Sequence, residues 1–261
     1  MRTIYKIAKT ELQVLFYSPI AWMIIIIFTF QASMQFSVFF EGMIKYQSML
    51  GRGFSGLTAS TFSGVEGLFT KILFFLYLYI PLLTMGLMSR EYSSGSIKLL
   101  YNSPITNTQI ILGKYLSTMI YAFVLIVILF VFVVFAGMNI AHFDWGLCLS
   151  GLLGIYLLIC VYAAIGLFMS SITSYQLVAA LCTLSVLAIL NYVRNLWQNI
   201  DFVRELTYWL SISGRAQKFI EGLICSEDVL YFLILIVSFL ALTIIQLQAA
   251  RQKSRRIVTW S

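Results

Sequence analysis

Acidic and basic residues occupy only 10% of these 261 positions, while 61% are hydrophobic; soluble domains carry about a quarter charged and about half apolar residues. Mean hydropathy is +0.93. A soluble domain of this size leaves roughly a quarter of its chain surface wet, and so little polar surface cannot cover it. Lipid resolves that conflict. Three prolines argue against a loop-rich globular fold. The single histidine, His142, sits in a short loop and cannot build a metal site by itself. Cys148, Cys160 and Cys182 fall in apolar runs, where a thiol behaves as a small hydrophobe, and Cys225 stands alone in a loop. Neither a disulfide framework nor a zinc site follows from that spacing. The sequence has no G-x-x-x-x-G-K-[ST], no H-E-x-x-H and no G-x-S-x-G. No catalytic residue, metal or cofactor is therefore expected in this chain.

What is present is a series of long uncharged runs. A helix needs about 20 apolar residues to cross roughly 30 Å of hydrocarbon, and charges are costly there. Six spans are read on that ruler: 19–40, opened by Pro19 where a missing N–H does no harm; 72–89, bracketed by Lys71 and Arg90; 115–137; 146–169; 176–193; and 229–250. The fourth and fifth come from one uncharged stretch, 145–193, broken by the polar cluster Ser170-Ser171-Ile172-Thr173-Ser174-Tyr175. The last span holds fourteen Leu, Ile, Val or Phe residues; on the insertion scale these favour the bilayer by about 4–8 kcal/mol. The first run exceeds a usual signal-peptide core and no A-x-A site follows it, so a retained anchor is expected. With no Asp, Glu, Lys or Arg inside the spans, a proton relay or ion pathway lacks its usual groups.

The net charge of +7 is unevenly spread. One face collects Arg2, Lys6, Lys9, Arg90, Lys98, Lys114, Arg251, Lys253, Arg255 and Arg256 against Glu11 and Glu91; the other has seven basic and eight acidic residues. The positive-inside rule assigns the basic face, with both termini, to the cytoplasm. No basic stripe with interleaved aromatics remains, which excludes a nucleic-acid surface.

Residues 2–17 read as an amphipathic helix lying in the cytoplasmic interface, with Ile4, Ala8, Leu12 and Leu15 on one face and Arg2, Lys6, Lys9, Thr10 and Gln13 on the other. Glu11 falls on the apolar arc, either as a carboxylate at the lipid boundary or as a contact to a partner or neighbouring helix. The outer loop 41–70, rich in Gly, Ser and Thr, reads as flexible. The outer segment 194–228, with Trp197, Tyr208, Trp209 and Phe219, reads as short helices at the interface.

The loop 90–114 is the most informative segment. Ser94 or Ser96 can cap a short helix through Leu99 and Leu100. Asn102-Ser103-Pro104 ends it, and Thr106 caps the next helix. The result is a stiff elbow pressed to the cytoplasmic surface. This loop resembles the signature of ABC-2 type transporter permeases, E-x-x-x-G-[ST]-x-x-x-L-L-x-x-P-[VI]-[ST]-x-x-[QE]-[IV]-x-x-G-K. Glu91, Gly95, Ser96, Leu100, Pro104, Ile105, Thr106, Gln109, Ile110, Gly113 and Lys114 match in register, with Leu99 one position ahead of the pattern's leucine pair. Ile80-Pro81-Leu82-Leu83-Thr84-Met85, and Phe219-x-x-Gly222 with Asp228-Val229-Leu230-Tyr231-Phe232, are similar to the gliding-motility permease subgroup. Lys98 stands where the family commonly has an acidic residue, and Gly86 where it has a basic one.

The resemblance implies an all-α, type V exporter-like permease fold in a bacterial plasma membrane. It also implies pairing with a second permease copy and with separate ATPase chains that bind ATP and Mg, with room for an accessory or periplasmic subunit. The 91–114 elbow would then receive ATPase motion, Glu91 would make polar contacts there, and Pro81 would kink the second span. A passive channel or secondary transporter, or a noncatalytic scaffold, are the alternatives; transport in liposomes with and without ATP and partner separates the three. Membrane-impermeant labelling is expected to find both termini on one face. Opposite faces would overturn the six-span topology.

Overall fold

The computed structural model describes residues 2–50, 57–64, 66–140, 143–192 and 212–258, and among them every regular element is α-helical. In chain order these are α1 (Arg2–Tyr17), α2 (Pro19–Leu50), α3 (Leu57–Phe62), α4 (Leu68–Thr84), α5 (Gly86–Ser94), α6 (Ile97–Asn102), α7 (Asn107–Asn139), α8 (Trp145–Ile172), α9 (Gln176–Tyr192), α10 (Ile212–Ile220) and α11 (Ser226–Val258). His142 and the stretch 193–211, with Trp197, Tyr208 and Trp209, lie outside the described residues.

Among the described residues, five stretches are long and apolar enough to cross a membrane: Pro19–Gly42, Leu68–Ser94, Asn107–Asn139, Trp145–Ile172 and Ser226–Gln252. The sixth expected span is a shorter apolar helix, Gln176–Asn191. The 17 residues of α9 reach about 26 Å at 1.5 Å per residue, somewhat short of the roughly 30 Å of hydrocarbon.

Several boundaries depart from the sequence reading, each for a local reason. α2 runs on to Leu50, and α3 and the first turn of α4 also fall within the expected 41–70 loop, so much of that segment is helical and not a flexible loop. α8 begins where Asp144 accepts the Leu147 N–H at 3.2 Å and continues to Ile172. Ser170 and Ser171 are therefore buried helical residues, and the break falls at 173–175.

α8 is the central helix: 72% of its apolar window is buried, against 22% for α2. It packs against α4, α5, α7, α9, α10 and α11. Gly166 of α8 lets α4 come close, since a Cβ there would collide with the Thr84 side chain. Pro81 lies inside α4 and cannot donate to the carbonyl four residues earlier; the helix is interrupted just beyond it, at Met85. Ser170 of α8 repairs that interruption. Its hydroxyl accepts from the Met88 and Ser89 N–H groups at 3.0 and 3.1 Å and donates to the Met85 carbonyl at 2.9 Å.

Gly166→Val is expected to destabilise by about 1–3 kcal/mol through overpacking. Gly86→Ala, with nothing within 4 Å of its Cβ, should change little. Thermal unfolding in detergent checks both, and equal melting temperatures for the two variants would contradict the close α4–α8 packing.

Candidate functional site

α7 starts with a capping box. Thr106 Oγ1 accepts the Gln109 N–H at 3.3 Å, and Gln109 Oε1 accepts the Thr106 N–H at 3.4 Å, which satisfies two otherwise orphaned donors. Just upstream, α6 ends at Asn102, with Ser103 already extended before Pro104. α5 ends at Gly95, whose φ of 72° is the left-handed conformation glycine adopts without a steric cost. Ser96 precedes α6 without a side-chain capping bond; its hydroxyl lies 2.8 Å from that of Ser94. The elbow is thus three short rigid pieces, α5, α6 and the start of α7, set at angles by Gly95 and by the extended 103–106 bend.

α1 packs mainly on α7. Ala8 is buried, Leu12 and Leu15 join the core, and Lys6, Lys9, Thr10 and Gln13 face outward. The close approach depends on Gly113, where a Cβ would sit 2.6 Å from Ile7 Cγ2. That approach brings together three charges separated widely in the chain. Lys114, only 1% exposed, places Nζ 2.7 Å from Glu11 Oε1 and 2.7 Å from Glu91 Oε1. Arg90 adds a weaker contact to Glu11 Oε2 at 4.0 Å. Two cations face two anions, so the group is neutral overall, the condition under which buried charge is tolerable. Glu11 is therefore an interhelical contact and not a free carboxylate at the lipid boundary. Glu91 and Lys114 spend their charge within the chain.

Other motif residues point outward. Leu99 is 75% exposed, Gly95, Pro104 and Thr106 are exposed, and Ser96 and Gln109 are half-buried. Leu100 packs partly against the core.

Arg251, near the end of α11, is one of the basic residues of the expected cytoplasmic face, with no further role predicted from the sequence. Its guanidinium donates to the Tyr101, Ser103 and Ile105 carbonyls at 2.6, 3.3 and 3.4 Å and to Asn107 Oδ1 at 3.0 Å. It also lies 6.0 Å from the centre of the Tyr101 ring. Burial raises the Tyr101 phenol above its ordinary pKa, so the ring stays neutral beneath the cation. Nothing local to Arg251 in sequence announces this, because its acceptors are mostly backbone carbonyls.

A family model described as ABC-2 family transporter protein matches residues 5–251. No curated protein matches the chain.

Lys114→Met leaves Glu11 and Glu91 with only the peripheral Arg90 against them in a mostly dry site. It is expected to destabilise by about 3–5 kcal/mol, and adding Glu11→Gln and Glu91→Gln should recover most of that loss. Denaturation in detergent measures both. Wild-type stability of the single variant would mean that the cluster holds nothing together.

Proposed function

Because the chain belongs to the ABC-2 transporter family, a family of membrane transport components that generally pair with an ABC ATPase, we propose that it is the permease subunit of an ATP-driven exporter in a bacterial plasma membrane. On this reading α9 is a sixth crossing, both termini are cytoplasmic, and α1 lies in the inner interface. A second permease copy completes the pathway, a separate ATPase supplies the ATP and Mg chemistry, and the gliding-motility subgroup is the nearest branch. Further accessory or periplasmic subunits are compatible with it. The cargo stays open, since the spans carry no charged cluster that selects one.

The observation that carries this reading is the Glu11–Lys114–Glu91 cluster behind an exposed elbow. A force applied at Leu99, Ser94 and Gly95 meets a piece that cannot bend away from its supports. The ammonium of Lys114 ties α5 to α7 and to α1 at 2.7 Å each. Closure of the partner ATPase would therefore move the elbow, α1 and the inner ends of the second and third spans as one body. Gly95, in its left-handed conformation, is the joint between α5 and α6. Met85, beyond Pro81, is the joint between α4 and α5.

Co-expression with the cognate ATPase is expected to give a stable complex in nanodiscs. Leu99→Asp should weaken its assembly about tenfold or more, as loss of an apolar anchor does. Glu91→Ala and Gly95→Pro should leave ATP hydrolysis poorly coupled to transport. A chain that never binds an ATPase, or variants that assemble and couple like wild type, would refute the proposal.

A further inference from the structure

α11 carries a charged clamp at each end. At the elbow end, Arg251 makes the four hydrogen bonds to the 101–107 segment described above. At the other end Asp228, 1% exposed, forms an ion pair with Arg215 of α10 and lies 3.8 Å from Lys218 of the same helix. Arg215 is itself buried and stands 4.3 Å over the Tyr231 ring of α11. Between the two clamps α11 is unbroken helix packed on α8 and α7. From residue 228 to 251 it rises about 35 Å, enough to cross the hydrocarbon.

We propose that α11 is a transmission rod, and that Arg251 and Asp228 are its positioning residues: the elbow's displacement is carried along α11 to α10 on the opposite face. The inference rests on the permease reading, and it adds an output beyond the second and third spans. The chemistry of the two clamps suits that task. The buried Asp228–Arg215 pair cannot let go cheaply, because either freed charge would be left without compensation in a dry setting; the half-buried Arg251 would give up four hydrogen bonds at once. The guanidinium at 251 also reads a shape: its rigid fork meets three carbonyls and one amide oxygen of a bend, which a single-point ammonium cannot match. A helix gripped in this way at both ends moves as a piece.

Cys225, exposed and next to the Asp228 end of α11, reports on that motion. The full chain is reconstituted with its ATPase in liposomes on a Cys182→Ser background. Labelling of Cys225 by an impermeant maleimide is followed without nucleotide and after trapping with ATP and vanadate. Trapping is expected to change the wild-type rate about fivefold, the low end of ordinary coupling between sites. Arg251→Ala and Asp228→Asn should each abolish most of that change, and Arg251→Lys should not restore it. The double variant Arg251→Ala/Asp228→Asn should lose no more than either single one, because both residues act through one rod; independent structural damage would add. A wild-type response in the single variants, rescue by lysine, or additive loss overturns the rod. A complex that forms but shows no trapping response in the wild type overturns it as well. A wild-type chain that never assembles with an ATPase removes the permease reading beneath it.

Discussion

One ammonium group organises the elbow side of this molecule. Lys114 is almost completely buried, yet it sits 2.7 Å from a carboxylate on α1 and another on α5. Removing any member leaves charge without compensation, so the three helices share one energetic fate. Their packing follows from the same point. Gly113 has no side chain because α1 must lie close enough for Glu11 to reach, and the apolar arc of α1 then finds its partner in α7. The left-handed turn at Gly95 and the capping box at Thr106 set the directions in which the pieces leave that anchor.

The rest of the architecture arranges helices around α8, whose glycine and serine positions do work that larger residues could not. Gly166 admits Thr84, and Ser170 closes the interruption at Met85. In lipid such repairs are needed, since no water is available to satisfy an opened helix and each unsatisfied backbone group is costly. The peripheral helix α2, by contrast, presents Trp22, Ile26, Phe30 and Met34 outward, as a lipid-facing surface requires.

Much of this was legible in the amino-acid order, and the reason is that lipid imposes a one-dimensional rule. Uncharged runs located the long helices, Pro19 and Thr106 marked starts, and Pro104 marked the bend before α7, while Glu91, Gly95 and Lys114 were singled out by the family resemblance. The third dimension was not legible. Glu11 lies 103 positions from Lys114, and its place on the apolar arc of α1 said only that something unusual faced inward. Arg251 binds backbone carbonyls about 150 positions away, and a carbonyl has no residue type to read. Ser170 looked like part of a turn because serines cluster there. Its true role depends on a proline in another helix. The bounds of α9 were legible too, 176–193 in the sequence against Gln176–Tyr192 in the structure.

The hydroxyl of Ser170 has one more implication. It bonds to the backbone at the Met85 interruption and holds two amides and a carbonyl at once. With two amides held by one oxygen, α5 is leashed to α8: swinging free would strand the Met88 and Ser89 N–H groups in an oily medium, while the Met85 carbonyl would keep only the Ser89 hydroxyl. On the proposed reading, the central helix would limit how far the elbow could travel.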